Sequence, residues 1–128
     1  MKNNNPNARK ALIIEDESDM QVLLGNILRE KEIQPVFAGS IAEADEILST
    51  RRNDFRFIFL DHQLPDGWGL SLLPVLKDKF PASRLIMISA NDSYKLKSSA
   101  QRWGASLFIG KPFSRDHIVR VIEQEVLE

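Results

Sequence analysis

The sequence predicts an α/β fold in which a parallel sheet of five strands is covered by helices on both faces. Five short, almost continuously apolar segments alternate along the chain with five segments of helical periodicity. Continuous apolar runs are typical of strands buried on both faces, and strict alternation with helices is typical of parallel sheets. With 128 residues and a hydrophobic content of 43%, the chain is long enough for one domain with a single core region.

The first half of the chain contains three predicted strands and two predicted helices. Each helix follows a Ser that has Gln or Glu three residues later, the pattern of a capping box, here Ser18 with Gln21 and Ser40 with Glu43. The third strand is rich in aromatic and β-branched residues and runs directly into Asp61. The strands cover residues 11–14, 35–38 and 55–60, and the helices residues 19–30 and 41–51.

The second half begins with a turn at residues 64–67, and a third helix is expected to end near Lys79. Pro74 is expected either to kink that helix or to mark its start. Strands at 84–88 and 106–109 flank a polar helix at 93–103, which Gly104 should terminate. Ser114 is expected to cap a last helix with one apolar face, formed by Ile118, Val121, Ile122 and Val126.

Composition excludes several classes of site and partner. A net charge of −1 and a pI near 6.1 give no electrostatic reason to expect binding to nucleic acid or to an anionic membrane. Without cysteine there is no disulfide, no thiolate zinc site and no thiol nucleophile. No segment approaches the roughly 20 apolar residues of a membrane span, so we expect a cytoplasmic protein with a flexible leader at 1–8 and one domain at 9–128.

Polar side chains stand where four of the five predicted strands end. Glu15 and Asp16 follow the first strand, Asp61 the third, Ser89 the fourth and Lys111 the fifth. The carboxyl ends of parallel strands share one edge of a sheet, where ligands of such sheets bind. Three carboxylates gathered there repel one another unless a cation joins them, and oxygen ligands without His or Cys favour Mg²⁺, with Mn²⁺ as an alternative.

A carboxylate beside such an ion can attack phosphorus and form an aspartyl phosphate. Asp61 is the strongest candidate because the loop after it, with Asp66, Gly67 and Gly69, can bring backbone groups close to the site. Lys111 and the hydroxyl of Ser89 would help to neutralise the transferring group.

Four motifs in this order resemble those of the response-regulator receiver domain of two-component signalling: IIEDE at 13–17, LDHQLPDG at 60–67, SA at 89–90 and FIGKPF at 108–113. The resemblance covers residues 9–127. It implies a flavodoxin-like, doubly wound three-layer sandwich of the chemotaxis-regulator type, with strand order 2-1-3-4-5.

The resemblance also implies a role for each motif residue. Glu15, Asp16, Asp61 and the backbone carbonyl of Gln63 would bind Mg²⁺. Asp61 would accept a phosphoryl group from a sensor histidine kinase or a phosphotransfer protein, and Lys111 would pair with its oxygens.

Two further positions correspond to the switch of the family. The hydroxyl of Ser89 would swing toward the phosphoryl group, and Phe108 would turn inward, although an ordinary core position is the alternative for Phe108. Pro112 corresponds to the proline that follows a cis peptide bond, here Lys111–Pro112. Phosphorylation would thereby alter the surface of the fourth helix, fifth strand and fifth helix, and so control a downstream protein or a covalently linked effector domain.

The chain departs from the family pattern at several positions. Glu15 stands where Asp is commoner, and Gln63 and Asn91 occupy the positions that tune dephosphorylation. Residues 104–107 lack the acidic pair typical of DNA-binding relatives, so no direct binding to nucleic acid or membrane is expected of this domain. His62 and His117 are expected to be a plain loop residue and a helical surface residue. Trp68 is expected near Asp61, and Trp103 in the core or on a partner surface.

Two other functional classes remain as alternatives to a phosphoacceptor switch, which is not an enzyme in the usual sense. A phosphatase of the haloacid-dehalogenase type would need a second aspartate at position 63, where this chain has Gln. A binding module that had lost the chemistry would not need the full set of strand-end residues. The sequence leaves open whether the chain stands alone or is cut from a longer regulator or hybrid kinase.

Overall fold

The computed structural model describes residues 9–50 and 54–127, and its centre is a five-stranded parallel sheet. The strands lie in the order β2-β1-β3-β4-β5, and each neighbouring pair is parallel. This confirms the predicted fold class and strand order. The strands are β1 (Lys10–Ile14), β2 (Gln34–Ala38), β3 (Phe57–Asp61), β4 (Arg84–Ser89) and β5 (Leu107–Gly110).

Five α-helices connect and cover the strands: α1 (Ser18–Glu30), α2 (Ile41–Thr50), α3 (Leu73–Lys79), α4 (Tyr94–Arg102) and α5 (Arg115–Leu127). Successive side chains of a strand point to opposite faces of the sheet, so each face has its own hydrophobic cluster. Buried residues of α1 and α5 pack on one face, against Ile13 and Phe59 among others. Buried residues of α2, α3 and α4 pack on the other, against Leu12 and Leu60 among others.

The helix starts differ in part from the sequence expectations. Helix α2 begins as predicted, since Ser40 Oγ accepts a hydrogen bond from Glu43 N and the Glu43 carboxylate accepts one from Gly39 N. The capping box predicted at Ser18 is wrong. Helix α1 already includes Ser18, and no side chain caps its start. The amide of Gln21 instead donates to the backbone carbonyl of Glu15, a tertiary partner that the local pattern did not include.

The segment after β3 also differs in detail. Strand β3 begins two residues later than predicted and includes Asp61 as its last residue. A two-stranded antiparallel ribbon of Gln63–Leu64 and Gly67–Trp68 follows, with the predicted turn between its strands. A 3-10 turn at Gly69–Leu72 then leads into α3, so Pro74 marks the start of this helix rather than a kink within it.

Some predictions concern residues that lie outside the described part of the chain. These are the leader at 1–8, the last predicted residue of the second helix, and the contribution of the Val126 side chain to the apolar face of α5. The other three members of that face, Ile118, Val121 and Ile122, are buried. Within the described residues, no helix combines the length and hydrophobicity that crossing a bilayer requires.

Gly69 lies against the end of β3 more closely than any side chain would allow. Its backbone N–H donates to the carbonyl of His62 over 2.6 Å. A Cβ atom at this position would collide with the carbonyl oxygen of Asp61 and lie 3.1 Å from the Cα of His62. Both obstacles are backbone, so they cannot move aside without shifting the strand end.

We therefore expect Gly69→Ala to destabilise the fold by about 1–3 kcal/mol, the usual range for overpacking. Gly39→Ala is the matched control, because the nearest atom to a Cβ there is Glu43 Oε1 at 3.5 Å, an ordinary contact. Urea unfolding followed by circular dichroism measures both. Equal midpoints for the two variants would contradict the steric argument.

Candidate functional site

Three carboxylates meet at the carboxyl edge of the sheet. Glu15 and Asp16 follow β1, Asp61 ends β3, and each offers an oxygen that lies within 4.8 Å of the other two. Glu15 is 2% exposed and Asp61 5% exposed, whereas Asp16 is exposed. Strands β1 and β3 are hydrogen-bonded neighbours, so the two buried carboxylates cannot move far apart. The structure thus brings together the acidic residues that the sequence pointed to.

Lys111, just beyond β5, supplies the positive charge of the cluster. Its ammonium lies 3.1 Å from Glu15 Oε1, 3.2 Å from Glu17 Oε1 and 3.3 Å from Asp61 Oδ2. The backbone N–H of Lys111 donates to the carbonyl of Ser89, and the Lys111–Pro112 peptide bond is cis. The ion pair with Glu17 was not predicted from the sequence, where this residue appears only as the last position of the IIEDE motif.

The carboxylate of Glu15 is held in place but incompletely satisfied. Its Oε2 accepts a hydrogen bond from the backbone N–H of Glu17, whereas the buried Oε1 has no hydrogen-bond partner in suitable geometry. Burial, together with repulsion from Asp61, raises the pKa of Glu15 to about 7, although the hydrogen bond from Glu17 and the nearby Lys111 work in the opposite direction.

A divalent cation fits this environment. An orphaned buried oxygen, two further carboxylates within 4.8 Å and a donor set made only of oxygen are the features that Mg²⁺ and related hard ions require. The acidic cluster is therefore a candidate metal site.

The charge of Lys111 is firmly maintained. Burial alone would lower the pKa of its ammonium, but pairing with Glu15 and the attraction of Asp61 and Glu17 outweigh burial and raise the pKa well above its usual value. Lys111 therefore remains protonated whenever the carboxylates around it are charged.

Ser89 ends the strand next to β3, and Gln63 follows Asp61 by two residues in the chain. The buried hydroxyl of Ser89, at the end of β4, accepts a hydrogen bond from the backbone N–H of Asn91 over 3.0 Å. The backbone N–H of Gln63 donates to Asp61 Oδ1 over 3.3 Å, while its side chain is exposed. The side chain of Asn91 is exposed as well and accepts from the backbone N–H of Ser93.

Phe108 lies on β5 and is partly buried against the cluster formed with α2, α3 and α4. The ammonium of Lys97, on α4, stands 5.8 Å from the centre of its ring, within the range of a cation–π contact. The aromatic side chain is thus neither fully in the core nor fully exposed.

His62 and Trp68 shape a cavity beside Asp61. Their rings stack with centroids 5.0 Å apart, and His62 Nδ1 accepts the backbone N–H of Leu70. Burial lowers the pKa of His62, although the charge of Asp61 opposes this. His62 is therefore more than the plain loop residue expected. The cavity has a volume of about 540 Å³ and is lined by His62, Gln63, Trp68, Leu70, Ser71, Ser89, Asn91 and Trp103.

Asp66 connects the loop that follows β3 to the start of α2. Its carboxylate accepts hydrogen bonds from the backbone N–H groups of Ile41 and Ala42, at the start of α2, and these bonds lower its pKa. The sequence placed Asp66 in the turn and in the loop after Asp61, but did not indicate its contact with α2. Its position next to a Gly is a turn pattern, and the partner helix lies about 25 residues away in the chain.

The raised pKa of Glu15 predicts a pH dependence of the metal-free protein. The folded value of about 7 lies above the ordinary 4.5, so the contribution of this group is fully present below pH 4.5 and is lost as the pH rises through 7. In EDTA, wild type should lose up to about 3 kcal/mol relative to Glu15→Gln between these pH values. Urea unfolding at each pH measures the difference. Glu32→Gln, at an exposed position, should run parallel to wild type, and a parallel Glu15→Gln profile would contradict the assignment.

Comparison with known proteins places this arrangement among related sequences. PilR of Pseudomonas aeruginosa, a response regulator protein, is 35% identical over 104 residues, which cover 81% of this chain and 23% of PilR. The chemotaxis protein CheY of Listeria monocytogenes is 29% identical over 119 residues, covering 90% of this chain and 96% of CheY. The chain thus spans about a quarter of the length of PilR, but nearly the whole of CheY.

Solved structures and the family comparison agree. A two-component response regulator from Clostridium difficile superposes with a TM-score of 0.86 at 21% identity, over 94% of this chain and 97% of that chain, so the fold is shared. The family described as the response regulator receiver domain matches residues 11–123, a range that includes every strand end of the acidic pocket. On that match the chain belongs to the response regulator receiver domains of two-component systems.

Proposed function

We propose that the chain is a phosphoacceptor switch in which Asp61 takes a phosphoryl group from a phosphohistidine of a sensor histidine kinase or a phosphotransfer protein. The observation that carries this proposal is the position of Asp61. It is buried at the end of β3, 3.3 Å from the Lys111 ammonium and within ligand distance of Glu15 and Asp16. A buried carboxylate beside a lysine and two further acids has the charge environment that formation of an aspartyl phosphate requires.

Glu15, Asp16, Asp61 and the backbone carbonyl of Gln63 would hold Mg²⁺, with Mn²⁺ as an alternative. The ion would supply positive charge to the oxygens of the transferring phosphoryl group. The unsatisfied Oε1 of Glu15 supports this assignment.

In the transfer step, a carboxylate oxygen of Asp61 attacks phosphorus and forms a P–O bond. The P–N bond to the donor histidine breaks, and its electron pair remains on the imidazole nitrogen, which takes up a proton. Lys111 would move from the carboxylates to the phosphoryl oxygens. The hydroxyl of Ser89, which now accepts from Asn91 N, would rotate to donate to another of these oxygens.

The change that a downstream partner recognises would depend on movements of Ser89 and Phe108. As Ser89 moves toward the phosphoryl group, Phe108 would turn inward and leave its contact with Lys97. The surface of α4, β5 and α5 then changes its affinity for a downstream protein or a covalently linked effector domain, as a shift between two populations. Gln63 and Asn91, both exposed beside the cavity, would position water for dephosphorylation.

Receiver domains are signalling phosphoacceptors rather than enzymes in the usual sense, and the family match supports this class over a phosphatase. The position that would carry the second aspartate of such a phosphatase is Gln63. The complete pocket likewise favours an active switch over a binding module without chemistry. We propose a cytoplasmic location, without direct contact to membrane or nucleic acid.

Incubation with acetyl phosphate and Mg²⁺ tests the proposal through the intact mass of the protein. Wild type should gain a single phosphoryl adduct, because acetate leaves as Asp61 attacks. Asp61→Asn should gain none, since the amide is not nucleophilic, and EDTA should prevent the adduct in wild type.

Asp78→Asn serves as the matched control, since Asp78 is exposed on α3 and remote in sequence from the pocket residues. It should be modified like wild type. An adduct that persists in Asp61→Asn, or the absence of any adduct in wild type with Mg²⁺, would refute the assigned acceptor.

A further inference from the structure

Glu17 is a pocket residue with no part in the proposed chemistry. It is the residue before α1, yet its side chain does not cap the helix. The carboxylate instead extends to Lys111, 94 residues away in the chain, with Oε1 3.2 Å from the ammonium. The side chain of Glu17 is 61% exposed, in contrast to the buried carboxylates of Glu15 and Asp61.

These contacts surround the Lys111 ammonium with negative charge, because it donates hydrogen bonds to Glu17 and Asp61 and forms an ion pair with Glu15. All three carboxylates lie within 3.3 Å of the ammonium. The side chain is only 14% exposed, so water has little access to it. Under the proposed function, Lys111 must turn to the phosphoryl oxygens, and at least one carboxylate has to release it.

Glu17 is the partner best placed to do so. Glu15 and Asp61 lie within the buried sheet edge, where a carboxylate without a counter-charge is costly. Glu17 can rotate into solvent, and exposed ion pairs contribute little to stability. Its negative charge also lies beside Lys111, in a site whose proposed substrates carry negative phosphoryl groups.

We propose that Glu17 is a positioning residue that holds Lys111 in the unphosphorylated protein and slows the arrival of the phosphoryl group until it lets the lysine go. This inference rests on the proposed function of Asp61 and Lys111. It predicts that Asp61 is phosphorylated faster when the side chain of residue 17 can no longer reach the Lys111 ammonium.

The first experiment compares rates of adduct formation with acetyl phosphate at saturating Mg²⁺, followed by intact mass. Glu17→Gln should be modified about three- to fivefold faster than wild type, the factor expected from loss of one exposed ion pair. Asp19→Asn is the matched control, since it removes the same charge from an exposed position in the first turn of α1. It should stay at the wild-type rate.

Glu17→Asp separates pairing from charge. The shorter side chain keeps the negative charge but draws it back from Lys111, so this variant should also be faster than wild type. If Glu17→Asp behaves as wild type while Glu17→Gln is faster, long-range repulsion accounts for the effect and the proposed hold on Lys111 is wrong.

A second readout needs neither metal nor phosphoryl transfer. In EDTA, acetylation of Lys111 by an amine-reactive ester, located by peptide mass, reports how tightly the ammonium is held. Labelling should rise about threefold in Glu17→Gln and stay unchanged in Asp19→Asn. Circular dichroism melting curves confirm that each variant is folded.

The rate of phosphorylation and the labelling of Lys111 together distinguish a failure of the proposed function from a failure of the role proposed for Glu17. If wild type takes no phosphoryl group but labelling of Lys111 rises in Glu17→Gln, the proposed function fails and the contact remains real. If wild type is phosphorylated while neither rate nor labelling changes in Glu17→Gln, the role of Glu17 is overturned.

Discussion

The crowding of like charges at one edge of a parallel sheet is the constraint on which the rest of the site depends. Strands β1 and β3 are adjacent and parallel, so the residues at their carboxyl ends are forced together whatever their charge. Glu15 and Asp61 consequently lie buried side by side, an arrangement that is unfavourable unless positive charge compensates it. Lys111 provides one such charge from the other side of the edge.

One ammonium is not enough for this cluster. The Lys111 ammonium lies within 3.3 Å of three carboxylates but donates hydrogen bonds to only two of them, Glu17 and Asp61. Asp16 adds a fourth acid, and the buried Oε1 of Glu15 lacks a hydrogen bond. The pocket therefore favours any ligand that adds positive charge. It tolerates a negatively charged group only when a cation binds with that group, or when one of the carboxylates already present moves away. Under the proposed function, a single added phosphoryl group would therefore change the charge balance of the whole site.

Much of this could be predicted from the sequence, because buried strands have a strong local pattern and the topology of a parallel sheet determines where they end. Glu15, Asp16, Asp61 and Lys111 were found by that logic. Contacts between segments that are distant in the chain have no local sequence pattern and could not be predicted in this way. The reach of Glu17 to Lys111 is an example, since neighbouring acids at a loop usually only face solvent.

The same limit explains the errors of detail. Ser18 and Gln21 have the spacing of a capping box, but the carbonyl of Glu15 offered Gln21 a better partner once the strand was in place. Asp66 looks like a turn residue and nevertheless caps α2. In each case the local pattern was real, and a tertiary partner decided the outcome.

The two hydrophobic clusters on opposite faces of the sheet have a mechanical consequence. Phe108 packs only with the cluster of α2, α3 and α4, whereas α1 and α5 rest on the other. Under the proposed function, movement of this ring would disturb the compartment of α2, α3 and α4 directly, and would reach α5 on the other face only through β5, which contributes residues to both clusters. The sheet separates the two compartments, so α1 would keep its packing while the surface of α4 and β5 changes.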